Sequence, residues 1–438
     1  MGVNGVATAS LWRNRDFVLF WLLQTLSVAG DSFSYVAIPL LVLHATGSVT
    51  QMGLLTGLAG AASVLTGVFA GVLVDRLNRR RLMIFCDALR ALAFASIPVL
   101  WLAGAPQVWL LYLVVPLGGA LGMVFRVGYV TAVAELVDID VITEANGRLS
   151  ATYAVASVAG PMLAGIVCGL FGPAVAVGID AVTFGLSAAG LLLVRLGRRR
   201  PEVRAGAPAA GRQPAVDAPP AAAVVRPAVG RDLLAGVLFL WRHPALRALT
   251  VLLSLSLFLM LGLTDVFIYR LKHDLGQPDH IVGTVIAVAA VGTVVAALVA
   301  APARRRFGFG VCWVAAQALA GLAVAAAGLA GHLVSAAVMV AVYTFGIGVA
   351  GICSMSLRQQ VTPEHLLGRV TSAFWTVHYA LAPLGAAALT SATAAYGSSA
   401  VLLLAGGGCL VVALAGLFTP LVRLSPAALH RPVTQGAS

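Results

Sequence analysis

An aspartate stands near the middle of the first long apolar run of the chain, in the stretch Ala29-Gly30-Asp31-Ser32. A carboxylate about fourteen residues into such a run is costly unless it faces a cavity or a partner, so a function is the default interpretation. Its chemistry would be to take up and release a proton, or to bind a cationic group. A structural carboxylate that is hydrogen-bonded to a neighbouring helix is the alternative.

Two further ionisable residues interrupt later apolar runs and could belong to the same site. Arg126 in the fourth run could neutralise Asp31, bind an anionic group of a substrate, or extend toward the membrane surface. Asp180 in the sixth run is a candidate for a hydrogen bond between helices, or for a second functional carboxylate. We therefore treat these three side chains as candidates for a proton or substrate site.

The seventh and eleventh apolar runs carry the remaining polar candidates. Asp265 is expected to pair with Arg270 near the end of its run. His378 and Trp375 could line a cavity, where the imidazole would exchange protons and the indole would stack on a bound molecule. Packing between helices is the alternative for both of these side chains.

The composition indicates what kind of protein must position these residues. Hydrophobic residues make up 60% of the chain, charged residues only 10%, and the mean hydropathy is +0.97. A soluble chain would carry about 25% charged residues. A large soluble helical core would also need amphipathic stripes, whereas most of these runs are apolar on all sides. The sequence therefore predicts an all-α integral membrane protein.

Twelve apolar runs are long enough to cross a bilayer as helices. We predict spans at residues 17–43, 51–74, 82–103, 107–134, 148–170, 173–194, 247–270, 281–302, 310–330, 333–357, 369–394 and 399–421. The stretch between the sixth and seventh spans is rich in Ala, Pro, Arg and Val, which indicates a flexible linker. The predicted organisation is a six-helix bundle over 1–194, a cytoplasmic linker over 195–246 with an interfacial helix near 231–242, a second six-helix bundle over 247–424 and a cytoplasmic tail over 425–438.

Short repeats support the division into two related halves. Leu-Trp-Arg precedes the first span at 11–13 and the seventh at 240–242. A Gly-Arg pair opens the fifth span, within 146–150, and the eleventh, within 367–371, and a proline follows each pair at a similar offset. Two matches in register favour a duplicated unit.

The charges indicate how the chain lies in the membrane. The net charge is +12, and the arginine clusters fall on loops that alternate topology puts on one side. By the positive-inside rule this side is cytoplasmic, with both termini inside, so we expect a multi-pass protein of the cytoplasmic (inner) membrane without a cleaved signal peptide. Nucleic acid is not the expected partner of this positive charge. The five cysteines lack metal spacing and are expected to be core residues.

The stretch from Gly71 to Arg81 joins two of these runs and carries an aspartate and four arginines. Such charges cannot lie in hydrocarbon, so the stretch must form a tight hydrophilic turn. Its Gly-x-x-x-Asp-Arg-x-x-Arg-Arg pattern resembles the loop between helices 2 and 3 of the major facilitator superfamily. The resemblance implies that family's fold of twelve transmembrane helices in two pseudo-symmetric six-helix bundles. The residues of this gating motif are Gly71, Asp75, Arg76, Arg79 and Arg80.

The resemblance makes Asp75 a gate residue that forms and releases hydrogen bonds as the protein changes conformation. The alternative is a turn aspartate that ends its helix and orients the loop. Asp87 and Arg90, one turn apart on the third span, could extend this cytoplasmic charge network or form a simple i,i+3 pair.

Two motifs resemble a particular group of the family. The Gly-Asp pair in the first span, after Arg-Asn-Arg-Asp-Phe, resembles the macrolide-efflux-like drug:H+ antiporters. On the fifth span, Gly160, Pro161 and Gly165 resemble a motif that is typical of exporters and that would set helix bending and the sealing of the inner half. Ordinary packing is the alternative, since the chain has 47 glycines.

The expected function is secondary active efflux of a drug-like or natural-product small molecule in exchange for protons. The alternatives are a dedicated metabolite or siderophore exporter, an uptake carrier of the same fold, and a non-transporting membrane sensor. The chain has no Gly-x-x-x-x-Gly-Lys-Ser/Thr loop and no catalytic motif, so we expect neither an ATP-driven pump nor an enzyme. No cofactor or metal is expected, and the expected partners are the substrate, protons and the lipid bilayer, with the protein a monomer.

Overall fold

The computed structural model describes residues 11–104, 107–137, 141–195 and 229–421. Before residue 196, a short 3₁₀ helix at Leu11–Arg13 is followed by six long helices. These are α1 (Arg15–Thr46), α2 (Val49–Arg76), α3 (Arg79–Leu102), α4 (Val108–Leu136), α5 (Ile142–Phe171) and α6 (Pro173–Leu191). We call them the amino-terminal helices.

The chain after residue 228 begins with α7 (Val229–Arg242), at the position of the predicted interfacial helix. The rest of the predicted linker, 196–228, and the tail from 422 onward lie outside the described residues. The carboxy-terminal helices are α8 (Pro244–Met260), α9 (Leu263–Tyr269), α10 (Asp279–Phe307), α11 (Phe309–Leu329), α12 (Leu333–Val361), α13 (Glu364–Ala380), α14 (Ala382–Tyr396) and α15 (Ser398–Leu417).

Eleven stretches of the described chain are long and apolar enough to cross a membrane. One of them, Pro244–Asp274, combines α8, α9 and a π-helical turn at Arg270–Asp274. The predicted eleventh span is divided between α13 and α14, because the helix is interrupted at Leu381, two residues before Pro383. Together with this broken segment, the described residues form twelve segments at the positions that the sequence predicts, and the all-helical membrane fold is confirmed.

The two sets of helices pack in the same way. In the amino-terminal set α2 packs on α4 and α3 on α6, while in the carboxy-terminal set α10 packs on α12 and α11 on α15. Between the sets, α5 packs on α10 and α14 packs on α2. These pairs correspond helix for helix, which is the arrangement that a duplicated six-helix unit would produce.

The two ends of the molecule differ in how the sets meet. We call the end that carries Arg79, Arg242 and Arg304 the arginine-rich end, and the other the opposite end. At the opposite end, one hydrophobic core contains buried residues of both sets, including Val36 of α1 and Val282 of α10. At the arginine-rich end, the cores of the described residues belong to one set or to the other. The sets are therefore joined at the opposite end.

Candidate functional site

A central cavity of about 500 Å³ lies between the two sets of helices. Its wall comes from α1, α2 and α4 on one side and from α8, α9, α11, α12 and α13 on the other, and it is largely apolar. The polar residues that line it are Ser34, Tyr35, Thr56, Ser256, Thr264, Asp265, Gln317, Tyr343 and His378. Such a cavity suits a small molecule with large apolar surfaces and few polar groups.

Asp31 lies midway along α1 and one helical turn before the cavity residues Ser34 and Tyr35. Arg90 of α3 donates a hydrogen bond of 2.7 Å to its carboxylate. The partner of Asp31 is therefore Arg90 and not Arg126, the candidate that the sequence offered. Arg126 is exposed on α4.

Arg90 also lies beside Asp87, which is fully buried one turn earlier on α3. The nearest guanidinium nitrogen is 3.7 Å from the carboxylate, so the contact is an ion pair without a hydrogen bond. On its other side the guanidinium lies 3.7 Å from the ring centre of Phe184 on α6. The expected i,i+3 pair is present. Because α3 begins at Arg79 and ends at Leu102, this pair lies halfway along the helix. It is therefore not part of a charge network at the arginine-rich end.

Asp180 of α6 is fully buried and accepts a hydrogen bond from Ser34 of α1. The hydroxyl of Thr183 lies 3.4 Å from its other oxygen. Gly30 permits this close approach, because a Cβ at position 30 would lie 2.8 Å from the Asp180 carboxylate. A hydrogen bond between helices was one of the two interpretations of Asp180.

Together these residues form what we call the polar cluster: Asp31, Ser34, Asp87, Arg90, Asp180 and Thr183. The cluster holds three carboxyl groups and one guanidinium in the middle of the membrane-spanning bundle. With every group ionised it would carry two excess negative charges, a costly state at this depth. Asp31 is 48% exposed and the other two carboxylates are fully buried, so Asp31 is the member that water reaches.

The arginines of the 71–81 loop bind within the amino-terminal set. Arg79 forms an ion pair with Glu135 at the end of α4, and Arg80 donates to the carbonyls of Leu191 and Leu192 at the end of α6. Lone pairs of helix-end carbonyls are thereby satisfied by a cation, as the helix dipole favours. Arg76 is exposed.

The two remaining residues of the loop motif, Gly71 and Asp75, lie in α2 outside the residues whose side chains the structure describes. The gating role of the motif stays a prediction.

The motif on α5 contacts both α1 and α10. Gly160 lies against Ser32 of α1, and Gly165 lies against Gly283 of α10, where a Cβ at position 165 would be 2.7 Å from the Gly283 Cα. The resemblance to the exporter motif implied that these residues seal the inner half. In the structure, the Gly165–Gly283 contact instead joins the two sets at the opposite end, since both residues lie near that end of their helices.

The proline of the other set makes the corresponding contact. Pro383 at the start of α14 faces Gly57 of α2, where a Cβ would lie 2.8 Å from the proline carbonyl oxygen. On α5, the carbonyl of Pro161 faces Gly283 in the same manner. The prolines that the repeat analysis singled out therefore both lie where one set of helices meets the other.

Ionic contacts also join the two sets at the opposite end. His44 at the end of α1 lies 3.4 Å from the Asp279 carboxylate at the start of α10, and Lys272 donates to the same oxygen at 2.6 Å. Nearer the cavity, Tyr35 and Thr264 form a hydrogen bond of 3.2 Å between α1 and α9. These contacts were not predicted, although the only lysine of the sequence, Lys272, stands near two histidines and an aspartate that could have indicated them.

Asp265 of α9 does not pair with Arg270, so this expectation is wrong. Arg270 binds Asp274, Ser398 and Ser399 and the carbonyl of Ala330. The seventh spanning segment continues to Asp274, four residues beyond the predicted end, which places Asp265 deeper and on the cavity wall.

The aromatic residues of α13 form a stack beside the cavity. His378 lines the cavity and stacks on Phe374 with ring centres 5.1 Å apart, and Trp375 packs against both rings while remaining 42% exposed. The guanidinium of Arg358 lies 3.6 Å over the ring of Phe374. Arg358 is itself buried, within the last turn of α12.

Within the described residues, no three His, Cys, Asp or Glu side chains are arranged to hold a metal ion. The five cysteines are buried free thiols.

In the part of the chain that the structure describes, eleven apolar spanning segments and one broken segment form two similarly packed sets around a central cavity, which defines a multi-pass membrane transporter. The Major Facilitator Superfamily profile matches residues 20–387, and the chain belongs to that family. The family and the fold that the 71–81 loop implied are thus confirmed. The protein transports a small molecule across a membrane and is not an enzyme.

Two groups of relatives are similar over most of the chain. It is 26% identical over 403 residues to the multidrug efflux pump Tap of Mycolicibacterium fortuitum, covering 90% of this chain and 93% of that protein. It is 24% identical over 361 residues to the enterobactin exporter EntS of Shigella flexneri, covering 82% of this chain and 80% of that one.

Solved structures share the fold at low sequence identity. The nucleoside transporter NupG matches with a TM-score of 0.72 at 12% identity, over 92% of this chain and 98% of that one. A bacterial homologue of the human lysosomal transporter Spinster, in an inward-facing and occupied conformation, matches with a TM-score of 0.72 at 16% identity, over 95% and 99% of the two chains.

Proposed function

We propose that this protein is a proton-coupled exporter, which moves a drug-like or natural-product small molecule out of the cell by alternating access. The observation that carries the proposal is the polar cluster next to the central cavity, because one guanidinium pairs there with the carboxylates of Asp31 and Asp87 while a third carboxylate, Asp180, is bound to Ser34. The similarity to Tap and EntS, named as a multidrug efflux pump and an exporter, supports efflux.

The cluster suggests how a proton is exchanged. With Asp31 ionised, Arg90 is held to it at 2.7 Å and lies 3.7 Å from Asp87, too far for a hydrogen bond. When Asp31 takes up a proton from the water that reaches it, its attraction for the guanidinium falls and Arg90 can move toward Asp87. Protonation thus changes how α1 is bound to α3, which biases the two conformations of the transporter.

The charge distribution sets the proposed orientation. The arginine-rich end is cytoplasmic by the positive-inside rule, with both termini inside and the protein in the cytoplasmic membrane. In this orientation the opposite end faces outward and is closed, so the described conformation is inward-facing. The similar shape of the inward-facing Spinster homologue supports this assignment.

Opening to the outside requires the seal at the opposite end to separate. The seal consists of the His44–Asp279 contact and the glycine contact of α5 with α10. The bundles over 1–194 and 247–424 would rock about the cavity as two units of a monomer, and the 71–81 loop would hold the arginine-rich end in the other state.

The similarity to EntS favours one second candidate, a dedicated exporter of a single metabolite. The two candidates share the cavity and the coupling cluster and differ only in the range of substrates.

The test is accumulation of candidate compounds in a pump-deficient bacterial host that expresses the chain. Macrolides, ethidium and a siderophore are measured with and without a protonophore. The proposal expects the loss of at least one compound from the cells, and expects the protonophore to abolish this loss. Uptake of a compound driven by the proton gradient would contradict export, and export unaffected by the protonophore would contradict proton coupling.

A further inference from the structure

The wall of the central cavity contains one carboxylate, Asp265 of α9. Among the described lining residues it is the one acid, and none of them is lysine or arginine. The residue is 2% exposed, and its Oδ2 has no hydrogen-bond partner. Thr56 of α2 donates a hydrogen bond to the same carboxylate.

A buried carboxylate without a cation is costly, and proteins normally pair it. The nearest arginine along the chain, Arg270, is bound instead to Asp274 and to three groups near α15 and α11. Among the described lining residues, the ionisable base is His378 of α13, whose ring stacks on Phe374. The Asp265 carboxylate can therefore pair with the positive charge of a molecule that is bound in the cavity.

The rest of the wall suits an aromatic or aliphatic cation. Tyr35 and Tyr343 present rings that attract cations through their faces. Met52 and Met260 add flexible, polarisable surface that adapts to different apolar shapes. A compact cation with bulky apolar groups satisfies both the carboxylate and the wall.

We propose that Asp265 is the residue that selects the substrate, and that the cavity takes monovalent amphipathic cations. The inference rests on the proposed function for the assignment of the central cavity to the substrate. It gives Asp265 a role in recognition that differs from the proton exchange proposed for Asp31. The two carboxylates lie on different sets of helices, so they can be tested separately.

The test is equilibrium binding to the purified full-length protein in nanodiscs, without a proton gradient. The probes are tetraphenylphosphonium and tetraphenylborate, which have nearly the same shape and opposite charges. We expect wild-type protein to prefer the cation, and expect Asp265→Asn to reduce this preference about tenfold or more, as loss of one member of a buried charge pair does. Asp265→Glu should keep the preference.

Glu144→Gln is the matched control, because it removes a carboxylate that is 55% exposed at the arginine-rich end. A wild-type protein that does not prefer the cation, or a preference that persists in Asp265→Asn, would overturn the proposal.

A second measurement uses wild-type protein, so it does not depend on whether a variant folds. Dicyclohexylcarbodiimide modifies buried carboxyl groups, and the modified peptide is quantified by mass spectrometry in wild-type protein. Tetraphenylphosphonium should protect Asp265, and tetraphenylborate should not. Equal modification with both probes would contradict the proposal. Because neither measurement uses a gradient, a failure of proton coupling would leave these results unchanged.

Discussion

Arg90 of α3 bridges Asp31 of α1 at 2.7 Å, in the middle of the membrane-spanning bundle and one turn from the cavity wall. The same guanidinium is 3.7 Å from Asp87, which accepts no hydrogen bond from it. Arg90 is thus shared between one carboxylate that water reaches and one that it does not. This arrangement allows a change in protonation to become a change in helix contacts.

Removal of Arg90 should destabilise the protein through the charges that it leaves behind. We expect Arg90→Ala to lower the free energy of unfolding by about 3 kcal/mol, because breaking a buried pair leaves an uncompensated charge. In the Asp31→Asn background the same substitution should cost less, since one carboxylate is already neutral. Thermal unfolding of the four proteins in detergent measures this coupling, and strictly additive effects would contradict the shared role of Arg90.

The contact of α5 with α10 should control the opening of the outer side. A side chain at Gly283 would collide with the Pro161 carbonyl and with Gly165, so Gly283→Val should push the two helices apart. Overpacking of this kind costs about 1–3 kcal/mol in the closed conformation, which would increase the population of the outward-open conformation about fivefold or more.

Cys168 is a native reporter for this opening, because it is buried in the core that joins the two sets at this end. With the other four cysteines replaced by alanine, a membrane-impermeant maleimide added outside should label Cys168 faster in Gly283→Val. Gly407→Val is the control, since no heavy atom lies near a Cβ at that position. Equal labelling of the Gly283→Val and Gly407→Val proteins would show that the glycine contact does not seal the outer side.

Asp75 remains a predicted gate residue, and its neutral variant should slow the conformational cycle. We expect Asp75→Asn to reduce maximal transport several-fold while substrate affinity changes little, because the residue lies at the end of α2, away from the cavity wall. Transport kinetics in vesicles separate the two parameters. Unchanged turnover would indicate a turn aspartate without a gating role.

Disruption of the ion pair between Arg79 and Glu135 should have a smaller effect than the loss of Arg90. Glu135→Gln removes the partner of Arg79 while Arg80 keeps its bonds to the α6 carbonyls. The Arg79–Glu135 pair is partly exposed, so the loss should be at most about 1 kcal/mol of stability. A decrease in melting temperature as large as that of Arg90→Ala would show that the Arg79–Glu135 pair contributes more to stability than its exposure suggests.

Part of this account follows from the sequence alone. The depth of Asp31 can be predicted, because a spanning run fixes how far each residue lies from the membrane surface. The partner of Asp31 cannot be predicted in this way, because the rotation of each helix decides whether Arg90 or Arg126 faces α1. An error of a few residues in the end of a predicted span is also enough to give a residue the wrong depth, as happened for Asp265. Asp265 was assigned to the surface because the π-helical turn that extends its segment to Asp274 leaves no clear hydropathy signal.

The most direct test of the central claim uses proteoliposomes with a substrate identified in the cellular screen. For wild-type protein, an acidic lumen should drive substrate into the lumen against its gradient, and labelled substrate should also exchange for unlabelled substrate without a pH gradient. For Asp31→Asn we expect exchange to persist and uphill accumulation to be lost, because the cavity is intact and the accessible proton site is gone. Accumulation at the wild-type level by Asp31→Asn would contradict the assignment of Asp31 as the coupling residue.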